Sequence, residues 1–444
     1  MIMTNGKIAR LRDILRTQLW PLPALAVVVS VVLGGALPAL DAVVDRQLPE
    51  GLAVLLFGGG PEAARSVLQA IAGSLITVTS LTFSLTVVTL QLASSQFSPR
   101  LLRTFTSDRF VHATLALFMA TFAFALAVLR SVRTETSGSP SFVPELSITI
   151  AYVLAIASIM GLVLFLAHLT REIRVETMMR RVTVETRNSM DRVFPPDRPA
   201  ATAEPTVGAG SIRIRCSHSG FLTVVDKKAL LHAAIEAGAV IRVDRTPGSS
   251  LIEGTPFATA WPLAPGATLD SDASGQLREM VNSAVETDVE RTNVQDMGFG
   301  FRQLADVAAR ALSPGTNDPT TAVHVLGHLS ALLCRLVGRS PGHELLRDDA
   351  GNVRAVLSQP SFADLLDLSI GQARLYGVSD PAVAERLVCL LQEVSYCDSK
   401  DHYRNEIHEQ LERLREAIGA GSYLRAEQSR LLKLADDAGY WVHH

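Results

Sequence analysis

The sequence predicts an α-helical membrane bundle of four transmembrane helices, followed by a cytosolic α+β module and a helical C-terminal domain. Three observations carry this. First, the 444 residues are 48% hydrophobic and only 19% charged, whereas a soluble chain has about a quarter of its residues charged. Second, the deficit is local: every long uncharged run lies before residue 171. Third, beyond that point the pattern turns to short alternating strands and capped, amphipathic helices. A net charge of −3, from 41 basic and 44 acidic residues, provides no basic field, so no nucleic-acid partner is expected. Four scattered cysteines, Cys216, Cys334, Cys389 and Cys397, exclude a disulfide framework.

A basic leader, residues 1–18, carries Lys7, Arg10, Arg12 and Arg16. The membrane domain, 19–170, holds uncharged runs read as spans at about 19–40, 67–97, 110–129 and 146–170. A bilayer core about 30 Å thick needs roughly 20 apolar residues in a helix, and each run reaches that length. The spans must be helical because lipid offers no partner to free backbone groups. A signal peptide is the competing reading of the first run, but the run is long and no small-x-small site precedes the acidic loop. Basic residues then alternate between connections. The first has only Arg46 and Arg65, the second Arg100, Arg103 and Arg109, and the third Arg130 and Arg133. Arg171, Arg174, Arg180, Arg181, Arg187 and Arg192 follow the fourth span, so both termini are expected inside.

The second span is unusually polar. At about 100° per residue, Gln69, Gly73, Thr77, Ser80, Ser84, Gln91 and Ser95 form one stripe, interrupted by Val87 and Val88. Thr79, Thr82, Thr86 and Thr89 form another, roughly opposite. Two readings stand. Small and hydroxyl residues suit a central helix packed tightly on both sides. Alternatively, Thr77, Ser80, Ser84, Val87, Val88, Gln91 and Ser95 line a water-filled path in an oligomer, with a valine as the hydrophobic gate. Arg100, Arg103 and Arg109 would then lie at the inner mouth. No Asp, Glu, Lys or Arg lies inside a span, and the only ionisable groups there are His112 and His168 near the inner ends, which disfavours ion-coupled transport.

Residues 171–210 read as a juxtamembrane helix and a proline-rich linker, 211–265 as a small α+β module, and 274–444 as a helical domain. In the module, strands are expected at 211–216, 221–225, 239–243 and 255–261, with a helix capped by Asp226. The helical domain is expected to start with a helix over 274–290 and a glycine turn at Gly298 and Gly300. Its sharpest local feature runs from Arg310 to Ala322. Ser313 before Pro314 stops one helix, and Asp318 before Pro319 starts the next. A capped helix-turn-helix is one reading; the other is a polar site in which Arg310, Ser313, Asn317, Asp318 and Thr320 hold an anion or a partner chain. His324 and His328 share a helical face without a convincing third ligand, so no metal is expected. No catalytic residue or cofactor motif stands out.

Two stretches carry a resemblance. The run Ser80-Leu81-Thr82-Phe83-Ser84 through Ser94-Ser95-Gln96-Phe97-Ser98-Pro99-Arg100, and the Leu312-Ser313-Pro314-Gly315-Thr316-Asn317-Asp318-Pro319 core, resemble a bacterial family of predicted membrane proteins, domain of unknown function 2254. The resemblance implies an integral protein of a bacterial inner membrane and assigns no catalytic residue. Together these readings lead to an expectation: a homo-oligomer in the lipid bilayer forming an ion channel or pore-like conduit for small inorganic ions. The alternative is a membrane-anchored signalling or scaffolding protein.

Overall fold

The computed structural model describes residues 18, 20–44, 56–96, 108–134, 141–172, 174–196, 204–264 and 266–443. The chain divides into two compact units, Met1–Thr177 and Met178–His444. In the first, the apolar runs form four helices: α1 (Pro21–Val44), α2 (Pro61–Gln96), α3 (Arg109–Leu129) and α4 (Glu145–Glu172). Pro61 opens α2 with a fixed φ and Glu62 sits in its first turn, both favourable at a helix N-terminus. This start is earlier than the uncharged run suggests. At 1.5 Å per residue the 36-residue helix is about 54 Å long.

The helix at the centre of this unit is α3, not α2. It packs against α1, α2 and α4, because its small residues, among them Ala116, Ala123, Ala125 and Thr121, let neighbours approach on several sides. Gly34 of α1 marks a close approach: a Cβ there would lie 2.6 Å from the Ala127 Cβ. Leu68, Phe118, Phe124 and Ile148 fill the apolar core between the helices. Outside it, α1 exposes Leu25, Val28 and Val32, and α4 exposes Val153, Ile156, Ile159 and Val163.

In the second unit, α5 (Val175–Val193) buries Met178, Met179, Val182 and Met190. Asp191 pairs with Arg335 at 2.9 Å and Arg339 at 2.7 Å. The helical part of the 171–210 segment is therefore packed against the rest of this unit. The strands and first helix of the module follow as β1 (Ile212–Arg215), β2 (Gly220–Val225), α6 (Lys227–Glu236), β3 (Ala239–Val243), β4 (Ser250–Leu251) and β5 (Pro256–Pro262). The expected 274–290 helix is instead α7 (Ser271–Ser283) followed by β6 (Val285–Asp288). α8 (Gly298–Ala311) and α9 (Pro319–Val337) come next. A hairpin of β7 (Glu344–Arg347) and β8 (Val353–Leu357) then interrupts what reads as a helical domain. The unit ends with α10 (Phe362–Gly377), α11 (Pro381–Cys397), α12 (Arg404–Ala420) and α13 (Arg425–His443).

The strands form a five-stranded sheet, β1-β5-β3-β8-β7, and a three-stranded one, β4-β2-β6. The α+β fold thus extends beyond 211–265: β8 pairs in parallel with β3, Ile241 opposite Ala355. Ile214, Leu230, Ile241, Phe257 and Leu357 share its core. Gly298 and Gly300 lie inside α8 rather than in a turn. Gly300 has no room for a side chain, since a Cβ would stand 1.8 Å from the Thr186 Oγ1 of α5. Among the described residues, five helices qualify as membrane spans by length and composition: α1 to α4 and, less expected, α9.

Candidate functional site

The two polar stripes of α2 have different surroundings. The threonine stripe faces the protein: Thr82, Thr86 and Thr89 are buried and Thr79 is half-buried. Each of these hydroxyls donates to the carbonyl one turn back: Thr79 to Leu75 at 2.7 Å, Thr82 to Val78, Thr86 to Thr82 and Thr89 to Leu85 each at 2.8 Å. A hydroxyl satisfied on its own helix can sit against apolar neighbours without desolvation cost. Ala64, Leu68, Ile71, Ala72 and Leu75 continue the same buried face toward the N-terminus.

The opposite stripe is uncovered. Gln69, Gly73, Thr77, Ser80, Ser84 and Gln91 are all exposed, and Val87 and Val88 are exposed among them. Thr77 Oγ1 reaches the Gly73 carbonyl at 3.3 Å. Among the described residues, no side-chain hydrogen bond involves Ser80 or Ser84. The structure therefore brings Thr77, Ser80, Ser84, Val87, Val88 and Gln91 onto one outward face. Ser95 lies on the same helix, but its side chain is outside the described residues, as are Arg100 and Arg103. Arg109 is exposed at the first position of α3.

Three polar contacts inside the first unit escape a reading of charge-free runs. The Asp41 carboxylate, 2% exposed at the end of the first apolar run, accepts from the Ser147 backbone N–H at 3.0 Å and the Ser147 hydroxyl at 2.7 Å. It thereby caps α4 from another helix, with its negative charge at the positive helix end. Thr121 and Ser158 join α3 to α4 through a 3.2 Å hydroxyl contact. Asp108 accepts from the Phe110 N–H at 2.8 Å as N-cap of α3, and His168 Nε2 lies 2.6 Å from its other oxygen. The signal for Asp41 was its position, one residue beyond an uncharged run; the other two pairs needed the helix register.

In the second unit, the Arg310 to Ala322 motif is a capped helix-turn-helix. Ser313 Oγ donates to the Arg310 carbonyl at 2.7 Å, and the Asp318 N–H closes the turn on the Ala311 carbonyl at 2.7 Å. Between them Asn317 takes a φ of 47°, a left-handed conformation that asparagine tolerates. Asp318 accepts from the Thr321 N–H at 3.1 Å and its hydroxyl at 2.5 Å. These bonds, the Thr321 hydroxyl first, hold the Asp318 carboxyl below its ordinary range. The carboxylate occupies the place where an external anion would dock on the α9 N-terminus. Thr320 is exposed, and Arg310 lies in the last turn of α8. Of the histidines, His328 Nδ1 sits 3.0 Å from the Thr183 hydroxyl. Burial, then the nearby His324, lowers the His328 pKa. His343 lies 3.6 Å from Glu204.

The chain matches the family model described as "Predicted membrane protein (DUF2254)" over residues 16–393. Two relatives, each described as an uncharacterized protein, come from Mycobacterium bovis and Mycobacterium tuberculosis. Both are 35% identical to it over 389 residues, covering 86% of this chain and 73% of theirs. No solved structure matches it. The match runs from the first apolar run through most of α11, across both compact units, and the chain belongs to this family of predicted membrane proteins.

Proposed function

We propose that the protein is a homo-oligomeric conduit for small inorganic ions in a bacterial inner membrane, with four spans and both termini cytoplasmic. One observation carries the reading: the outward stripe of α2 is polar where a span facing lipid is apolar. An amide or hydroxyl left against hydrocarbon costs several kcal/mol, roughly 2–7 per group. Gln69, Ser80, Ser84 and Gln91 therefore call for water or another protein surface, and several copies arranged around an axis supply both. Val87 and Val88 lie on the same face and form the constriction, closed by dewetting. Arg100, Arg103 and Arg109 at the inner mouth favour anions.

The setting of α9 supports four spans rather than five. It packs within the second unit against α8 and α11, contacts α5 through His328, and ties Arg335 to Asp191. The second unit then acts as an assembly or regulatory platform. The test is reconstitution of purified protein in liposomes. Conductance that Val88→Ser increases and Ser84→Leu abolishes is the expected result; a stable oligomer with no conductance under voltage, tension or pH change favours the scaffolding alternative.

A further inference from the structure

We propose that Cys334 and Cys397 are a reversible redox pair whose oxidation ties α9 to α11 through a disulfide bond. The two helices pack side by side, and their register is fixed by a polar contact in which Ser330 donates to the Glu393 carboxylate. Four residues further along each helix stand Cys334 and Cys397. The helices run in parallel, since Leu312 before α9 and Val383 in the first turn of α11 both lie against Gly377, while Ser330 meets Glu393 further along. The cysteine pair therefore repeats that contact one turn on, and Cys397 is among the groups that raise the Cys334 thiol. Both are free thiols; Cys397, the last residue of α11, is exposed and Cys334 is partly covered. The third cysteine of this region, Cys389, lies two turns back on α11, with Arg386, Glu385 and Glu393 as its charged neighbours.

The surroundings supply the chemistry. Burial raises the Cys334 thiol to about 12, so the exposed Cys397 is the group that meets an oxidant first. With a peroxide, the Cys397 sulfur attacks one oxygen: an S–O bond forms, the O–O bond breaks, and the departing hydroxide leaves as water with the thiol proton. Cys334 then attacks the sulfenic sulfur: the S–S bond forms, the S–O bond breaks and a second water leaves. A proton path from Cys334 is in place, since its sulfur is 4.0 Å from the Ser330 hydroxyl, which donates to Glu393. Arg386 grips that carboxylate at 2.7 and 2.8 Å and keeps it ionised. In sum, two thiols and one hydrogen peroxide give a disulfide and two waters, and a dithiol reverses the change.

The experiment treats the full-length protein in detergent with limiting hydrogen peroxide, blocks remaining thiols with iodoacetamide, and maps peptides by mass spectrometry without reduction. The expected product is a Cys334–Cys397 cross-linked peptide, two hydrogens lighter than the sum of its parts and lost on adding dithiothreitol. It is absent from Cys397→Ser and unchanged in Cys389→Ser. Recovery of both Cys334 and Cys397 as alkylated peptides after peroxide, or a cross-link formed chiefly with Cys389, overturns the assignment.

Discussion

The outward faces of α4 and α2 are exposed alike in the protomer and differ in chemistry. On α4 the exposed positions are Val153, Ile156, Ile159, Met160 and Val163, side chains that hydrocarbon solvates well. On α2 they include the polar Gln69, Thr77, Ser80, Ser84 and Gln91, alongside the apolar Ile76, Leu81, Phe83, Val87 and Val88. Exposure alone says nothing about the medium a surface faces; composition does. The inward stripe of α2 makes the same point from the other side. Thr82, Thr86 and Thr89 are as hydroxyl-rich as the outward stripe, yet each bonds its own helix and packs against neighbours. The outward stripe is the part of the first unit whose polarity the protomer leaves unexplained, and the proposed assembly gives it a purpose.

If that division is sound, inward polar groups hold the protomer and outward ones hold copies together. The largest effect on folding belongs to Asp41→Ala, which strips a buried carboxylate from two Ser147 donors. It should lower unfolding stability in detergent by about 2–3 kcal/mol. Ser84→Leu, which makes α2 resemble α4, should weaken self-association at least about tenfold, near 1.4 kcal/mol, as read by sedimentation, while leaving protomer stability within about 0.5 kcal/mol. Loss of protomer stability instead would collapse the distinction. Asp318→Ala removes the cap of α9 at about 1 kcal/mol and should leave self-association intact. Because the folded-state pKa of Asp318 is lowered, its contribution is present above the unfolded carboxyl range. The gap between wild type and variant in thermal unfolding should therefore close as pH falls through the folded value. Thr86→Val should be smallest, within about 1 kcal/mol, because its hydroxyl bonds only its own helix.

Much of this was legible in the sequence. Four uncharged runs became four helices because a bilayer-length apolar segment has few alternatives. Asp318 before Pro319 marked the start of α9 because a capping carboxylate and a proline with no N–H to lose suit a helix N-terminus. The two stripes of α2 followed from helical periodicity alone. Which stripe packs inward did not, since both carry small hydroxyl residues and only the position of α3 decides. The β7–β8 hairpin was missed because its strands are short and β8 pairs with β3 more than a hundred residues earlier. Its turn was visible in retrospect: the Asp348 carboxylate accepts from the Ala350 and Asn352 N–H groups, and Gly351 takes a φ of 85°. Gly300 read as a turn signal because glycine marks both bends and close crossings, and its partner Thr186 lies on another helix.

The central claim is that the polar face of α2 meets other copies of the chain while the apolar face of α4 meets lipid. Single cysteines at Ser80 and at Ile159, oxidised in native membranes and run without reductant beside the wild type, test it most directly. Covalent oligomers are expected from Ser80→Cys beyond the wild-type background and none from Ile159→Cys. Cross-linking through Ile159→Cys, with Ser80→Cys remaining at the wild-type background, would contradict it.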